Sequence, residues 1–181
     1  MAAHPWAIHG YCSCSGKNFD ENNDSKSLGG RLGFIIFPGL EIGSSYSTGK
    51  YDDSDKSRMD FAGVDLRIQK GGFELRSEYI RSNVEGLGSE TDSYDRDGYY
   101  VQLSYKYSPE YNYLRFLEGT TRFDSVDPND LLTNESDTER VSFGLNYSPF
   151  EHLILKLEYI LEDETKEELE KNLLFQTVFS W

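Results

Sequence analysis

The last strand of the chain constrains its fold most. Leu173, Phe175, Thr177, Phe179 and Trp181 occupy alternate positions and the chain finishes on an aromatic ring. In an extended strand, successive side chains point to opposite faces, so this spacing places all five on one face. The same dyad pattern recurs upstream. Leu153, Leu155, Leu157, Tyr159 and Leu161 alternate with Ile154, Lys156, Glu158, Ile160 and Glu162, and Val141, Phe143, Leu145 and Tyr147 alternate with Ser142, Gly144 and Asn146. Tyr99, Val101, Leu103, Tyr105 and Tyr107 oppose Tyr100, Gln102, Ser104 and Lys106. Further strands are expected at Phe73, Leu75 and Tyr79, at Ala62, Val64, Leu66 and Ile68, at Leu40, Ile42 and Tyr46, within 28–37, and more weakly over 115–124.

The connections have a pattern of their own. Pro38-Gly39, Lys70-Gly71-Gly72, Ser108-Pro109-Glu110 and Ser148-Pro149-Phe150 read as tight turns, because Pro and Gly supply the φ values that a reversal needs. Between them lie the polar, acidic stretches 50–57, 82–97, 125–139 and 162–171. Short turns at one end and long loops at the other describe an outer-membrane β-barrel, with turns in the periplasm and loops outside. A soluble acidic β-sandwich, the competing architecture, has no reason to keep that alternation. The net charge of −14 does not weigh against a membrane protein. A barrel strand shows lipid only one face, so apolar and polar residues average out along the chain. Thirteen Tyr and eleven Phe suit aromatic girdles but would equally suit a sandwich core, so placement decides and composition does not.

The reading is an all-β, antiparallel transmembrane barrel over residues 28–181, with short periplasmic turns and long acidic external loops. Residues 1–27 form an irregular segment with room for one strand within 8–19. Nine to ten strands are present, and the opening residues lack the basic and apolar regions of a secretion signal. The chain is therefore expected to be the carboxy-terminal part of a larger barrel.

Candidate chemistry is sparse. His4, His9, Cys12 and Cys14 crowd the amino terminus, but Cys-x-Cys is not a zinc spacing and there is no second Cys pair. In the run Asp92-Ser93-Tyr94-Asp95-Arg96-Asp97-Gly98, setting Gly98 as the sixth residue of a calcium loop puts Ser104 where a bidentate Glu is required. No metal and no cofactor are expected. His152 has no nucleophile motif to serve, and Arg76 lies between Glu74 and Glu78, making a charge ladder instead of an isolated acid. The chain does not read as an enzyme or a nucleic-acid binder.

Several runs resemble the phosphate-selective porin O and P family. Thr121-Arg122-Phe123-Asp124-Ser125-Val126-Asp127-Pro128, Phe143-Gly144-Leu145-Asn146-Tyr147-Ser148-Pro149 and Leu155-Lys156-Leu157-Glu158-Tyr159 look like its last strands. Gly63-Val64-Asp65-Leu66 and Phe73-Glu74-Leu75-Arg76-Ser77-Glu78-Tyr79 look like its middle ones. The likeness covers residues 28–181 and implies an outer-membrane porin, a barrel of about sixteen strands in full, and a homotrimer. The family's lysine-rich anion ladder does not appear here. On the polar faces Arg31, Arg67, Arg76, Lys106, Arg122 and Lys156 stand against Glu41, Asp65, Glu74, Glu78, Glu118 and Glu158.

These twelve are the expected pore lining, and their balance argues against strong anion preference. The expected function is passive diffusion of small hydrophilic solutes or ions. The alternative is a closed, plugged barrel acting through its loops as an adhesin or structural protein. Expected partners are outer-membrane lipid, lipopolysaccharide and the barrel-assembly machinery, with Phe175, Phe179 and Trp181 as the assembly signal.

Overall fold

The computed structural model describes residues 26–51, 57–86, 93–109, 114–128, 137–164 and 168–179. The strand expected within 8–19, the His4, His9, Cys12 and Cys14 group, Asp92 and Trp181 lie outside the described residues. Nine strands run in chain order: β1 (Leu28–Phe37), β2 (Leu40–Lys50), β3 (Arg58–Lys70), β4 (Phe73–Val84), β5 (Tyr94–Tyr107), β6 (Phe116–Asp127), β7 (Thr138–Phe150), β8 (Leu153–Glu164) and β9 (Glu168–Phe179). Each pairs antiparallel with its neighbours in one sheet of order β1 to β9. That sheet is open: β1 and β9 do not pair with each other.

Register carries the alternation across the sheet. Val64 faces Tyr79, which faces Tyr99; Leu75 faces Leu103, then Thr121, Phe143 and Tyr159. One face is therefore apolar from β2 to β9, and it is not covered. Among the described residues the only buried hydrophobic side chain is Val84, whereas Ser82, Ser104, Asp124, Ser142 and Ser148 are buried. A soluble sandwich stacks two sheets to bury such a face. This single sheet instead presents Leu103, Phe143, Leu157 and Phe175 outward, the inverse of a water-soluble domain and the arrangement a bilayer requires.

The apolar band has aromatic limits. Toward the short-turn end its face carries Phe73, Tyr105, Tyr107 and Tyr147, with Phe73 and Tyr105 in ring contact at 4.4 Å between centroids. Toward the long-loop end it carries Tyr46, Tyr79, Tyr99 and Tyr159. From Tyr99 to Tyr107, at about 3.4 Å per residue and a tilt of about 40°, the two girdles stand ~20 Å apart along the membrane normal. Past the second girdle the same face turns polar with Arg81, Asn83, Asp95 and Asp97. Asp95 and Asp97 are thus strand residues on the outer rim, not part of a loop.

Turn chemistry matches the sequence at two reversals. Gly39 has φ +97° and Gly71 φ +59°, a region that only glycine enters at little cost. The Gln69 amide donates to the Gly39 carbonyl at 2.6 Å, tying the first turn to β3. Two other expected turns are displaced. Ser108-Pro109 opens a connection that runs to Arg115, whose amide reaches the Ser148 carbonyl at 2.9 Å. Pro149 lies inside β7 at a register irregularity between Tyr147 and Phe150, and the reversal falls at Glu151–His152. A residue without an amide hydrogen is tolerated at such a bulge. The expected loop 162–171 is largely strand, since β8 continues to Glu164 and β9 starts at Glu168. Charged residues extend strands readily once both faces are wet.

Two outcomes follow for stability. A Cβ at Gly39 would collide with the Gln69 carbonyl oxygen as well as strain φ, so Gly39→Ala should destabilise by about 1–3 kcal/mol in urea unfolding from lipid vesicles. Leu103→Arg, with its side chain in the middle of the apolar band, should cost about 2–4 kcal/mol by the same measurement.

Candidate functional site

The opposite face of the sheet is the polar one, and all twelve charged residues expected to line a pore lie on it. Rows of paired residues define its layout. Glu41 faces Arg67, Arg67 faces Arg76, and Gln102, Arg122 and Ser142 continue the row. The next row toward the long loops runs Asp65, Glu78, Tyr100, Asp124, Arg140. On the short-turn side follow Gln69, Glu74, Ser104, Thr120, Gly144, Glu158, and then Lys106, Glu118, Asn146, Lys156. Arg31 enters from β1 opposite Ser45.

Cross-strand ion pairs lace these rows. Arg31 spans three strands, with Nε donating to Asp65 Oδ2 at 3.1 Å and Nη2 to Asp65 Oδ1 at 2.5 Å and Glu41 Oε1 at 3.2 Å. Glu74 serves two cations: Arg67 Nη2 donates to its Oε2 at 2.6 Å and Arg76 Nε lies 2.6 Å from its Oε1. Arg122 Nε donates to Asp124 Oδ1 at 2.8 Å while its guanidinium lies 3.9 Å from the Tyr100 ring centre. Arg140 Nε approaches the other Asp124 oxygen at 3.8 Å. Lys106 stands over the Phe116 ring at 4.1 Å. The pairs of Arg31, Arg67 and Arg76, whose guanidinium groups are close to half exposed, contribute roughly 0–1 kcal/mol each, so their weight lies in the electrostatics of the wall more than in stability, whereas Asp124 is buried between its two arginines.

An open cleft of about 310 Å³ lies among Arg31, Glu41, Asp65, Arg67, Arg76, Glu78 and Tyr100. The Arg31 bridge lies flat across its upper end because Gly43, and to a lesser degree Gly33, leave room. A Cβ at Gly43 would meet the Asp65 carboxylate and the Arg31 guanidinium, and one at Gly33 would lie 3.0 Å from Arg31 Nη1.

Asp124, Arg140 and Arg96 escaped the sequence-based set, although each shares this face. Their positions lay at or beyond the ends of the expected strands, yet the phase of Thr120 and Arg122 extends directly to Asp124, and that of Ser142 and Gly144 back to Arg140. Phe175 and Phe179 lie on the apolar face, exposed, opposite Leu157 and Leu153. Among the described residues no group of three or more His, Cys, Asp or Glu is arranged to hold a metal ion.

The family model described as phosphate-selective porin O and P matches residues 38–179. The match includes β2 to β9 and the whole ion-pair lattice except Arg31. No curated protein matches the chain.

The Gly43 floor generates a specific outcome. Gly43→Ala should displace the Arg31 bridge and lower stability by up to about 1 kcal/mol, and the loss should shrink when Arg31 is already Gln, a coupling read by a double-mutant cycle in urea unfolding.

Proposed function

The chain belongs to the phosphate-selective porin O and P family, whose members are channels of the bacterial outer membrane, and we propose that β1 to β9 form one contiguous stretch of the wall of a water-filled, passive-diffusion porin for small hydrophilic solutes and ions. The observation that carries this reading is the continuity of the two faces. One polar face runs across the sheet, ion-paired from β1 to β7, backed by an apolar face bounded by two girdles.

Strand parity limits how the ring can close. In an all-antiparallel sheet β1 and β9 point the same way, so closing the ring with antiparallel pairs takes an odd number of further strands. One gives the ten-stranded alternative; seven give about sixteen, the size the family resemblance implies. Barrels of eight or so strands are just filled by their own side chains. Filling a narrow lumen with Arg31, Arg67, Arg76, Arg122, Glu74, Glu78 and Glu158 would strip ions of water at several kcal/mol each. A wide lumen leaves them solvated, and this favours the porin over the plugged adhesin. Phe175 and Phe179 on β9, with Trp181 two residues further along the sequence, would serve recognition by the assembly machinery, and the apolar band would meet lipid and lipopolysaccharide within a homotrimer.

Selectivity follows from the wall. Among the described side chains, adding Arg96 and Arg140 on one side and Asp124, Glu162 and Glu170 on the other leaves the polar face with a slight excess of anions. The external stretches of the sequence are acidic. The complete barrel in planar bilayers should therefore show a weak cation preference at 0.1 M salt, where the Debye length is about 10 Å, and it should fade toward 1 M. Arg122→Gln, acting at close range in the lumen, should raise cation preference at both concentrations. Strong phosphate selectivity would contradict the charge argument, and a silent complete barrel would favour the plugged alternative.

A further inference from the structure

We infer that the cleft between β1 and β5 is a binding site for small zwitterions, the free amino acids and short peptides that carry an ammonium and a carboxylate on one molecule. The inference deepens the porin reading and rests on it for its physiological role, but the site itself is a local property of the sheet.

The cleft has two edges of opposite sign. On the short-turn side, Arg67 and Arg76 share the single carboxylate of Glu74, so two cations face one anion and the edge stays positive. On the long-loop side, Asp65 and Glu78 stand in one row with only Arg31 to meet them, and Arg31 also reaches Glu41 at the end of the Arg67 row, so this edge stays negative. Glu78 adds to that negative edge, since no ion pair among the described residues reaches it. Register fixes the spacing. Asp65 and Glu78 face each other, as do Arg67 and Arg76 two residues along the same strands, and two residues of strand span about 7 Å.

A simple anion drawn to Arg76 also comes under the field of Glu78, and a simple cation drawn to Glu78 comes under that of Arg76. A molecule with both charges a few ångströms apart satisfies both edges at once. Because the cleft is open and its charges hydrated, affinity is weak, as a permeation site requires: a solute must leave as readily as it enters.

The test uses glycylglycine as probe and saturation-transfer NMR on the full chain refolded in detergent micelles, with heat-modifiable migration as the check on folding. Glycylglycine should receive saturation, while N-acetylglycylglycine, an anion only, and glycylglycinamide, a cation only, should receive about threefold less or lower still, the size of effect expected from losing one solvent-exposed ion pair. Glu78→Gln and Arg76→Gln should each reduce the glycylglycine signal by a similar factor, and Arg76→Lys should restore it. Glu78→Gln removes no ion pair, so it reports even if Arg76→Gln does not fold. Equal saturation of the blocked peptides, insensitivity to Glu78→Gln, or no saturation of glycylglycine would each overturn the assignment. Conductance of the complete barrel separates this from the channel reading. Conduction without discrimination among the three peptides refutes the site and leaves the porin, whereas discrimination without conduction refutes the porin and leaves the site.

Discussion

Everything in this molecule depends on the rule that backbone amides and carbonyls inside a bilayer must be hydrogen-bonded by the protein itself. The antiparallel ladder from β1 to β9 meets that rule for every interior strand. It also leaves two edges, where ten consecutive residues of β1 are exposed and Phe175 and Leu173 on β9 are 68% exposed each. Edges of that length and apolarity are incompatible with hydrocarbon unless they are paired. The demand for closure, more than any single side chain, requires both edges to find strand partners in the bilayer.

Once the ladder is fixed, the period of two distributes the chemistry. The apolar face meets lipid with Leu103, Phe143 and Leu157, and it ends where Arg81 and Asp95 pair on the outer rim. The polar face gathers charges from strands far apart in sequence, such as Arg31 with Asp65 and Arg122 with Arg140 through their common Asp124. Neither face has a packed core in the ordinary sense, and the ion pairs take no part in building one. They shape the potential along the wall, with net positive and net negative clusters side by side where a balanced count would suggest uniform neutrality.

Much of this was legible in the sequence. Alternation fixes the face of each residue regardless of which strand it pairs with, so all twelve expected lumen-side charges share a face. The partner of each charge depends on register, which parity alone leaves open by steps of two residues. Glu74 could have served Arg67 or Arg76, and it serves both. Turns were read well where Gly adopts positive φ, at Gly39 and Gly71, and poorly where Pro stood in for a turn. Pro149 is absorbed by a bulge in β7, and Pro109 only begins a longer connection. Charge at a strand end looks like loop in the sequence although it extends β8 and β9, and Asp124 and Arg140 sit at or just past the ends of the alternation that marks β6 and β7.

The claim that face, and not side-chain chemistry, decides which residues meet lipid is tested most directly where the two disagree. Ile160 is apolar but sits on the polar face between Ser142 and Asn172, and Thr121 is polar but sits on the apolar face between Leu103 and Phe143. Spin labels placed singly at Ile160 and Thr121 in vesicle-reconstituted protein can be probed with oxygen, which partitions into lipid, and with a water-soluble nickel chelate. The chelate should relax the label at Ile160 and oxygen the label at Thr121. The reverse assignment, or equal access of both reagents to both sites, would contradict a barrel wall with lipid on one side and water on the other.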